Sequence, residues 1–162
     1  MKKYVYVLAI ALLAMSWAGC QPKNGPDGHH SEMKVIVTGV GVITSDTTIV
    51  IHDAMLNVLS GETQMEVRGE LKDVTDKLEV TITRSATDRI DEFCVANSCN
   101  ICNGEETQHL EFNFTGNNTG SSWYAHYNMP QDGDLDYTVS YKFVNYDRQV
   151  TLTVQYDYQE TN

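Results

Sequence analysis

The fold is decided by residues 137–158, which read YTVSYKFVNYDRQVTLTVQYDY. Apolar side chains occupy every second position over residues 137–143 and again over residues 150–158. A period of two is typical of strands that bury one face and expose the other. The polar residues 145–148 between the two halves suit a short turn. This stretch therefore predicts a β-hairpin.

The same alternation recurs toward the N-terminus, where it is clear in residues 78–83 and 110–114. Shorter apolar runs predict earlier strands at residues 34–38, 47–52 and 64–69. No long segment after residue 32 has the 3.6-residue period of a helix. About seven or eight short strands separated by turns predict an all-β protein, an antiparallel immunoglobulin-like β-sandwich over residues 33–162. A small barrel is the alternative.

The first twenty residues, MKKYVYVLAIALLAMSWAGC, resemble a bacterial lipoprotein signal. Two lysines precede an apolar run over residues 4–14, which is about half as long as the roughly 20 residues that a membrane-spanning helix needs. Small residues then lead to Cys20, which in such signals becomes the acylated first residue of the mature chain. We expect removal of residues 1–19 and attachment of acyl chains such as palmitate to Cys20. The membrane is then a partner through that lipid, in the bacterial envelope and at its outer membrane.

Trp17 departs from the lipoprotein pattern, which usually has Leu, Val or Ile three residues before the cysteine. An ordinary signal peptidase could instead use Ser16-Trp17-Ala18 and release a soluble chain. Residues 21–32, QPKNGPDGHHSE, are rich in Pro, Gly and polar side chains with nothing to bury. Residues 20–32 are therefore predicted to be a lipidated cysteine followed by a flexible tether.

The acidic composition excludes one class of partner. The full chain has a net charge of −11, from 11 Lys and Arg against 22 Asp and Glu. Lys2 and Lys3 leave with the signal, so the mature chain keeps 9 basic residues and a net charge of −13. Nucleic-acid binding needs clustered Lys and Arg to neutralise phosphates, so we expect no nucleic-acid partner. Electrostatic adhesion to anionic lipid is disfavoured for the same reason.

Residues 65–158 carry a set of short motifs around Phe93-Cys94 and the following Cys99. A strand that ends in a basic residue, Arg84, comes before them. A segment of the aromatic-His-Tyr-x-x-Pro type comes after them, matched by residues 125–130 from His126 to Pro130 with Ala125 at the aromatic position, and two alternating strands follow it. Together these motifs resemble a β-sandwich module that is common in secreted and lipid-anchored proteins of the Bacteroidetes.

The resemblance implies an immunoglobulin-like sandwich without a reaction, since such modules are usually non-catalytic domains of the cell surface or envelope. It also implies a disulfide between Cys94 and Cys99, which leaves Cys102 free or available for an intermolecular bond. Closing so short a loop stabilises the fold by about 1–2 kcal/mol. Val95-Ala96 stands where the family usually has Trp-Gly.

The cysteines also permit a different function. Cys94, Cys99 and Cys102 have the spacing C-x4-C-x2-C, and with Cys20 acylated their odd number leaves one thiol unpaired in an oxidising compartment. With His109 they would supply four zinc ligands, although the spacing matches no familiar zinc finger. Cys99 and Cys102 also have the C-x-x-C form of thiol–disulfide oxidoreductases. A plant-type iron–sulfur cluster needs a fourth cysteine downstream, which the sequence lacks. The alternative function is therefore an envelope metal-binding or thiol redox protein.

Three aromatic residues, Trp123, Tyr124 and Tyr127, stand next to the Asn- and Gly-rich residues 116–122. Exposed aromatic rings in such a place can stack on a sugar or a peptide, and loops of a sandwich usually carry its binding residues. Packing in the core is the favoured interpretation of all three. Ligand binding by them is the second hypothesis.

No arrangement of residues predicts catalysis. The histidines of the predicted domain, His52, His109 and His126, are isolated in the sequence, and no G-x-S-x-G motif supplies a serine for them to activate. We therefore expect no catalytic residue, no cofactor and no metal site. The predicted function is a non-catalytic binding or structural domain, with a protein or glycan ligand held by residues 94–104 and 116–127.

Overall fold

The computed structural model of the protein describes residues 30–56, 58, 61–115, 120–129 and 136–158. The predicted signal peptide, Cys20 and most of the predicted tether lie outside these residues. No helix among the described residues is long and apolar enough to cross a membrane.

The described residues form twelve strands. In chain order these are β1 (Lys34–Val37), β2 (Gly41–Ile43), β3 (Thr47–Ile51), β4 (Met55–Leu56), β5 (Thr63–Lys72), β6 (Lys77–Arg84), β7 (Asp91–Val95), β8 (Ser98–Cys102), β9 (Thr107–Asn113), β10 (Ser121–Asn128), β11 (Asp136–Asn145) and β12 (Arg148–Asp157). The first sheet has the order β2-β1-β5-β10-β7-β8, and β4 pairs with the other end of β5. The second sheet has the order β3-β12-β11-β6-β9.

The strand order is that of an immunoglobulin-like sandwich. β1-β5-β10-β7 follow the A-B-E-D order of one immunoglobulin sheet, and β12-β11-β6 follow the G-F-C order of the other. Two strands are added between the D-like β7 and the E-like β10. β8 extends the first sheet beyond β7, and β9 extends the second sheet beyond β6. The chain thus changes sheets directly after its last cysteine, Cys102.

Aromatic rings from both sheets interlock in the core. The ring of Phe93 in the first sheet lies 5.3 Å from that of Tyr141 and 6.1 Å from that of Phe143 in the second sheet. Trp123 meets Phe143 edge to face at 5.4 Å. Such pairs add about 0.5–1.5 kcal/mol each beyond the burial of their surface. All four side chains are buried, as the period-two alternation of their strands requires.

The predicted fold class is confirmed, and β5, β6, β9, β11 and β12 lie where strands were predicted, whereas the eight-residue β10 was not predicted. β11 and β12 form the predicted hairpin, with Tyr146 and Asp147 as its turn. The twelve strands outnumber the seven or eight expected for two reasons. β2 and β4 have three and two residues, too few to show a period, and β7, β8 and β10 lie in segments that were not predicted as strands. β3 runs parallel to β12, whereas the other pairs are antiparallel.

The last residues of the predicted tether already contact the domain. The imidazole Nδ1 of His30 lies 2.7 Å from Asp147 Oδ2, and the amide of Ser31 donates to Asp147 Oδ1 at 2.8 Å. The Ser31 hydroxyl donates to Asn145 Oδ1 at 2.5 Å. Met33, two residues later, is buried. Residues 30 and 31 of the predicted tether therefore lie against the β11–β12 turn.

Candidate functional site

The β7–β8 hairpin carries the disulfide that the family resemblance implied. Cys94 and Cys99 are directly opposite each other in the two strands, with their Cα atoms 4.1 Å apart, and their sulfur atoms are bonded. Two residues, Ala96 and Asn97, make the turn between the strands. The amide of Ala96 donates to the carbonyl of Ser122 at 2.8 Å, which ties the turn to β10. The predicted Cys94–Cys99 pairing is confirmed.

Cys102 lies on the other face of the sheet from Cys99. Residues 99–102 belong to strand β8, and positions three apart in a strand point to opposite faces. Cys99 is exposed, whereas Cys102 is buried. Burial, and then the charge of Asp91, raises the pKa of Cys102 to about 11, so its sulfur stays a thiol at neutral pH. Because Cys102 is buried, it cannot form an intermolecular disulfide while the protein is folded.

The structure does not bring the proposed zinc and redox residues together. Cys102 points into the core, whereas the exposed Cys99 and the completely buried Cys94 lie on the opposite face of the sheet, so the C-x-x-C pair cannot form a disulfide across β8. His109 lies on β9 in the second sheet, where it is exposed and contacts the hydroxyl of Thr81 at 3.0 Å. A zinc ion could not reach these four side chains at once.

A buried polar cluster closes the other end of β7. Asp91 and Arg84 are 1% and 2% exposed, with Asp91 Oδ2 3.9 Å from Arg84 Nη1. The hydroxyl of Tyr137 donates to Asp91 Oδ2 at 2.5 Å. Burial raises the pKa of Asp91 to about 6, although the Tyr137 hydrogen bond and the Arg84 charge act in the opposite direction. Burial also raises the pKa of Tyr137 well above its usual range.

Arg84 holds the crossing between the two sheets. Its Nη1 donates to the carbonyl of Cys102 at 3.1 Å and to that of Arg89 at 3.2 Å, and its Nη2 donates to the carbonyl of Glu105. The sequence motifs predict no role for Arg84 beyond its place at the end of a strand. The alternation of β6 could have shown that Arg84 is buried, because Arg84 follows the buried positions 78, 80 and 82 at the same spacing.

The three candidate aromatic residues divide between the two faces of β10. Trp123 and Tyr127 are completely buried and belong to the core, as the favoured interpretation predicted. Tyr124 faces outward beside the disulfide, with its hydroxyl oxygen 3.3 Å from Cys99 Sγ. Successive side chains of a strand point to opposite faces. Positions 123 and 127 therefore share the inner face, and Tyr124 alone of the three has its ring on the outer face.

Next to Tyr124, His126 is held between two glutamates. Its Nε2 hydrogen-bonds Glu66 on β5, and its Nδ1 lies 3.6 Å from Glu92 Oε2 on β7. Its ring centroid is 4.8 Å from that of Tyr124. We call Glu66, Glu92, Tyr124, His126 and the adjacent disulfide the outer-face cluster. His126 was predicted as isolated, and the pairing of β10 with two strands distant in sequence brings the carboxylates to it.

An open groove of about 710 Å³ lies at the turn end of the β7–β8 hairpin. We call it the end groove. Two phenylalanines and a set of amides, hydroxyls and a carboxylate line it: Val95, Ala96, Asn97, Ser98, Glu111, Phe112, Asn113, Phe114, Thr115 and Ser121. Its volume lies within the roughly 300–1,000 Å³ of small-molecule sites.

The two segments predicted to hold a ligand meet at this end of the sandwich. Residues 95–98 of the first segment and Ser121 of the second line the same groove, and Tyr124 contacts Cys99. Residues 116–119 of the second segment lie outside the described residues. The disulfide fixes the hairpin that forms one wall of the groove.

Comparison with known proteins assigns no family. No model of a known protein family matches the chain. No curated protein matches it either. The N-terminal domain of PorA, a solved structure, superposes with a TM-score of 0.45 and 12% identity, over 76% of this chain and 97% of that one. A second solved structure is a family 123 glycoside hydrolase from Clostridium perfringens, described for glycolipid glycan hydrolysis. It superposes with a TM-score of 0.32 and 8% identity, over 71% of this chain and 23% of that one.

Proposed function

We propose that the protein is a lipid-anchored, non-catalytic binding domain of a bacterial cell envelope, which holds its ligand in the end groove. The observation that carries the proposal is that Val95–Ser98 and Ser121, from two separate segments, line one open groove. The envelope address rests on the lipoprotein-type signal in residues 1–20.

The chemistry of the groove suits a ligand with both polar groups and an apolar face. Asn97 and Asn113 offer amides that both donate and accept hydrogen bonds, while Phe112 and Phe114 offer aromatic surface. Glycans and extended peptides have both kinds of surface. The acidic balance of the chain and Glu111 in the groove disfavour a strongly anionic ligand.

The groove is built to keep its shape when a ligand arrives. Its hairpin wall is fixed at one side by the Cys94–Cys99 disulfide and at the turn by the hydrogen bond from Ala96 to Ser122. Phe112, at its base, is almost completely buried and packs against Phe93 at 6.0 Å. A site that is already ordered loses less conformational entropy on binding.

Site-specific photo-crosslinking in intact envelopes tests the proposal. A photoreactive amino acid replaces Asn97 in the groove of the full-length protein, and the same amino acid replaces the exposed His109 on the outer face of the second sheet as a control. We expect a discrete adduct from position 97 and none from position 109. Digestion of the adduct with proteases or glycosidases then distinguishes a protein from a glycan ligand. The absence of an adduct at position 97, or the same adduct at both positions, would contradict the proposal.

A further inference from the structure

We infer that the outer-face cluster becomes a zinc site when the Cys94–Cys99 disulfide is reduced, with Cys94, Cys99, Glu92 and His126 as the four ligands. The ligand atoms of Glu92, Cys94 and Cys99 all lie within 4.8 Å of one another. His126 Nδ1 lies 3.6 Å from the Glu92 carboxylate but is not part of that group of three, so the imidazole must turn toward the two sulfur atoms to become the fourth ligand. This site shares no ligand with the groove and does not depend on the proposed binding function.

The ligand set is one that zinc accepts. Tetrahedral zinc binds thiolates at about 2.3 Å, imidazole at about 2.0–2.1 Å and carboxylate oxygen at about 2.0–2.2 Å. Two thiolates at one such ion lie about 3.8 Å apart. Neighbouring cysteines whose Cα atoms are 4.1 Å apart can reach that separation once the sulfur–sulfur bond is broken.

Glu66 prepares His126 for this role. A carboxylate can only accept a hydrogen bond, so the contact between Glu66 and His126 Nε2 places the ring proton on Nε2. In the neutral imidazole, Nδ1 then has the free lone pair that a metal needs, and Nδ1 is the atom that faces Glu92. Carboxylates that orient a ligating histidine in this way are a regular part of zinc sites.

The charges and neighbours are also compatible with the ion. Two thiolates and the Glu92 carboxylate carry three negative charges against the two positive charges of zinc. Tyr124 borders the site, and its hydroxyl, 3.3 Å from Cys99 Sγ, can donate a hydrogen bond to the thiolate. Arg68 contacts Glu66 and offsets the charge of that carboxylate.

Opening of the Cys94–Cys99 disulfide needs a dithiol reductant. A thiolate of the reductant attacks the exposed Cys99 sulfur, the sulfur–sulfur bond breaks, and Cys94 leaves as a thiolate. The second thiol of the reductant then displaces Cys99 and forms the oxidised reductant, so that two electrons and two protons pass to the protein. Zinc replaces the two thiol protons when it binds. In the disulfide state the sulfur atoms are bonded to each other and are not thiolate ligands.

Metal titration of the full-length protein in its two redox states tests the inference. The protein is reduced with dithiothreitol, freed of reductant without oxygen, and titrated with Zn²⁺ in a calorimeter and with Co²⁺ in a spectrophotometer. We expect one ion per chain in the reduced state, with thiolate-to-cobalt charge-transfer absorption, and no such absorption in the disulfide state. Equal binding in both states, or no binding after reduction whether the fold is kept or lost, would overturn the inference.

Variants separate this site from the other cysteine sets. Glu92→Gln and His126→Gln should each weaken zinc binding by at least about tenfold, and Glu66→Gln should weaken it by about 10–100-fold through the orientation of His126. Cys102→Ser and His109→Gln are the matched controls and should bind zinc as the wild type does. Loss of binding in either control, or full binding by both Glu92→Gln and His126→Gln, would refute this ligand set. The wild-type comparison remains decisive if a variant fails to fold.

Discussion

The indole of Trp123 lies over Gly69 and donates its Nε1 hydrogen to the carbonyl of Ile36 at 3.2 Å. The hydrogen bond spans from β10 across β5 to β1. A Cβ atom at position 69 would lie 2.7 Å from the Trp123 Nε1 and 1.8 Å from the Ile36 oxygen. Only glycine therefore lets the buried tryptophan satisfy its polar group in the core.

Gly69→Ala should destabilise the fold by about 3 kcal/mol or more, because backbone of β1 must move to make room. Gly120→Ala is the matched control, since a Cβ there meets nothing within 4 Å, and it should change stability by less than about 0.5 kcal/mol. Urea denaturation of the two variants and the wild type measures both effects. Similar stability of Gly69→Ala and Gly120→Ala would contradict this account of the core.

Ala96→Gly should stabilise the protein by about 0.5–1 kcal/mol. Ala96 makes the β7–β8 turn with a φ of 53°, in the left-handed region that costs a residue with a Cβ about 1–2 kcal/mol. Glycine removes that cost. Part of this gain in stability is offset, because glycine also gives the unfolded chain more conformational entropy to lose on folding. The Bacteroidetes module that the sequence resembles usually has glycine here. Thermal unfolding should show a higher midpoint for Ala96→Gly and a lower one for the control Ala86→Gly.

Stability should depend on the protonation of Asp91. The folded protein keeps this proton up to about pH 6, whereas the carboxyl of an unfolded chain loses it near its ordinary pKa of 3.8. The resulting stabilisation is therefore fully present below about pH 4 and is lost as the pH rises through 6. It amounts to about 3 kcal/mol.

Denaturation curves at pH 4 to 7 test this dependence. The difference in stability between wild type and Asp91→Asn should change by about 2.4 kcal/mol over that range, because the variant lacks the titrating group. Asp88→Asn, at a side chain that is 74% exposed, is the control and should follow the wild type. A constant difference between wild type and Asp91→Asn would show that Asp91 does not titrate in this window.

Thiol counting should find one free thiol in the domain, and only after unfolding. Cys94 and Cys99 are bonded, and Cys102 is buried with its pKa raised to about 11, which leaves almost no thiolate to react at neutral pH. Ellman's reagent should therefore label the native non-reduced protein slowly and the denatured protein once, at Cys102. Peptide mapping that places a bond between Cys99 and Cys102 would be incompatible with the β8 strand. Reduction of the native bond should cost about 1–2 kcal/mol.

Cys20→Ala should move the protein from the membrane fraction to the soluble fraction of the cell that makes it. The substitution removes the sulfur to which the lipid would be attached, and the lipid supplies the hydrophobic attachment. Cys102→Ala is the control and should stay with the membrane. Retention of Cys20→Ala in the membrane fraction would count against the anchor, which is a prediction from the signal sequence.

Sequence patterns located the strands well because the information is local. A residue at every second position of β11 or β12 must face the core whatever the rest of the chain does, so the alternation identifies strands and inner faces directly. The same alternation places Arg84 on an inner face, although nothing local shows that carbonyls of residues 89, 102 and 105 surround its guanidinium. Those partners come from the crossing between the sheets.

By itself, the sequence determined the all-β class, most of the long strands and, through a family resemblance, the Cys94–Cys99 bond. Tertiary structure alone decided what surrounds each outward-facing residue. His126 is separated by 60 residues from Glu66, yet they are partners, because β5 and β10 pair in register. Cys102 is three residues from Cys99, yet they lie on opposite faces of β8. Proximity in a sheet depends on strand order and register, and these are set by long-range packing of the inner faces, which a short spacing in the sequence does not record.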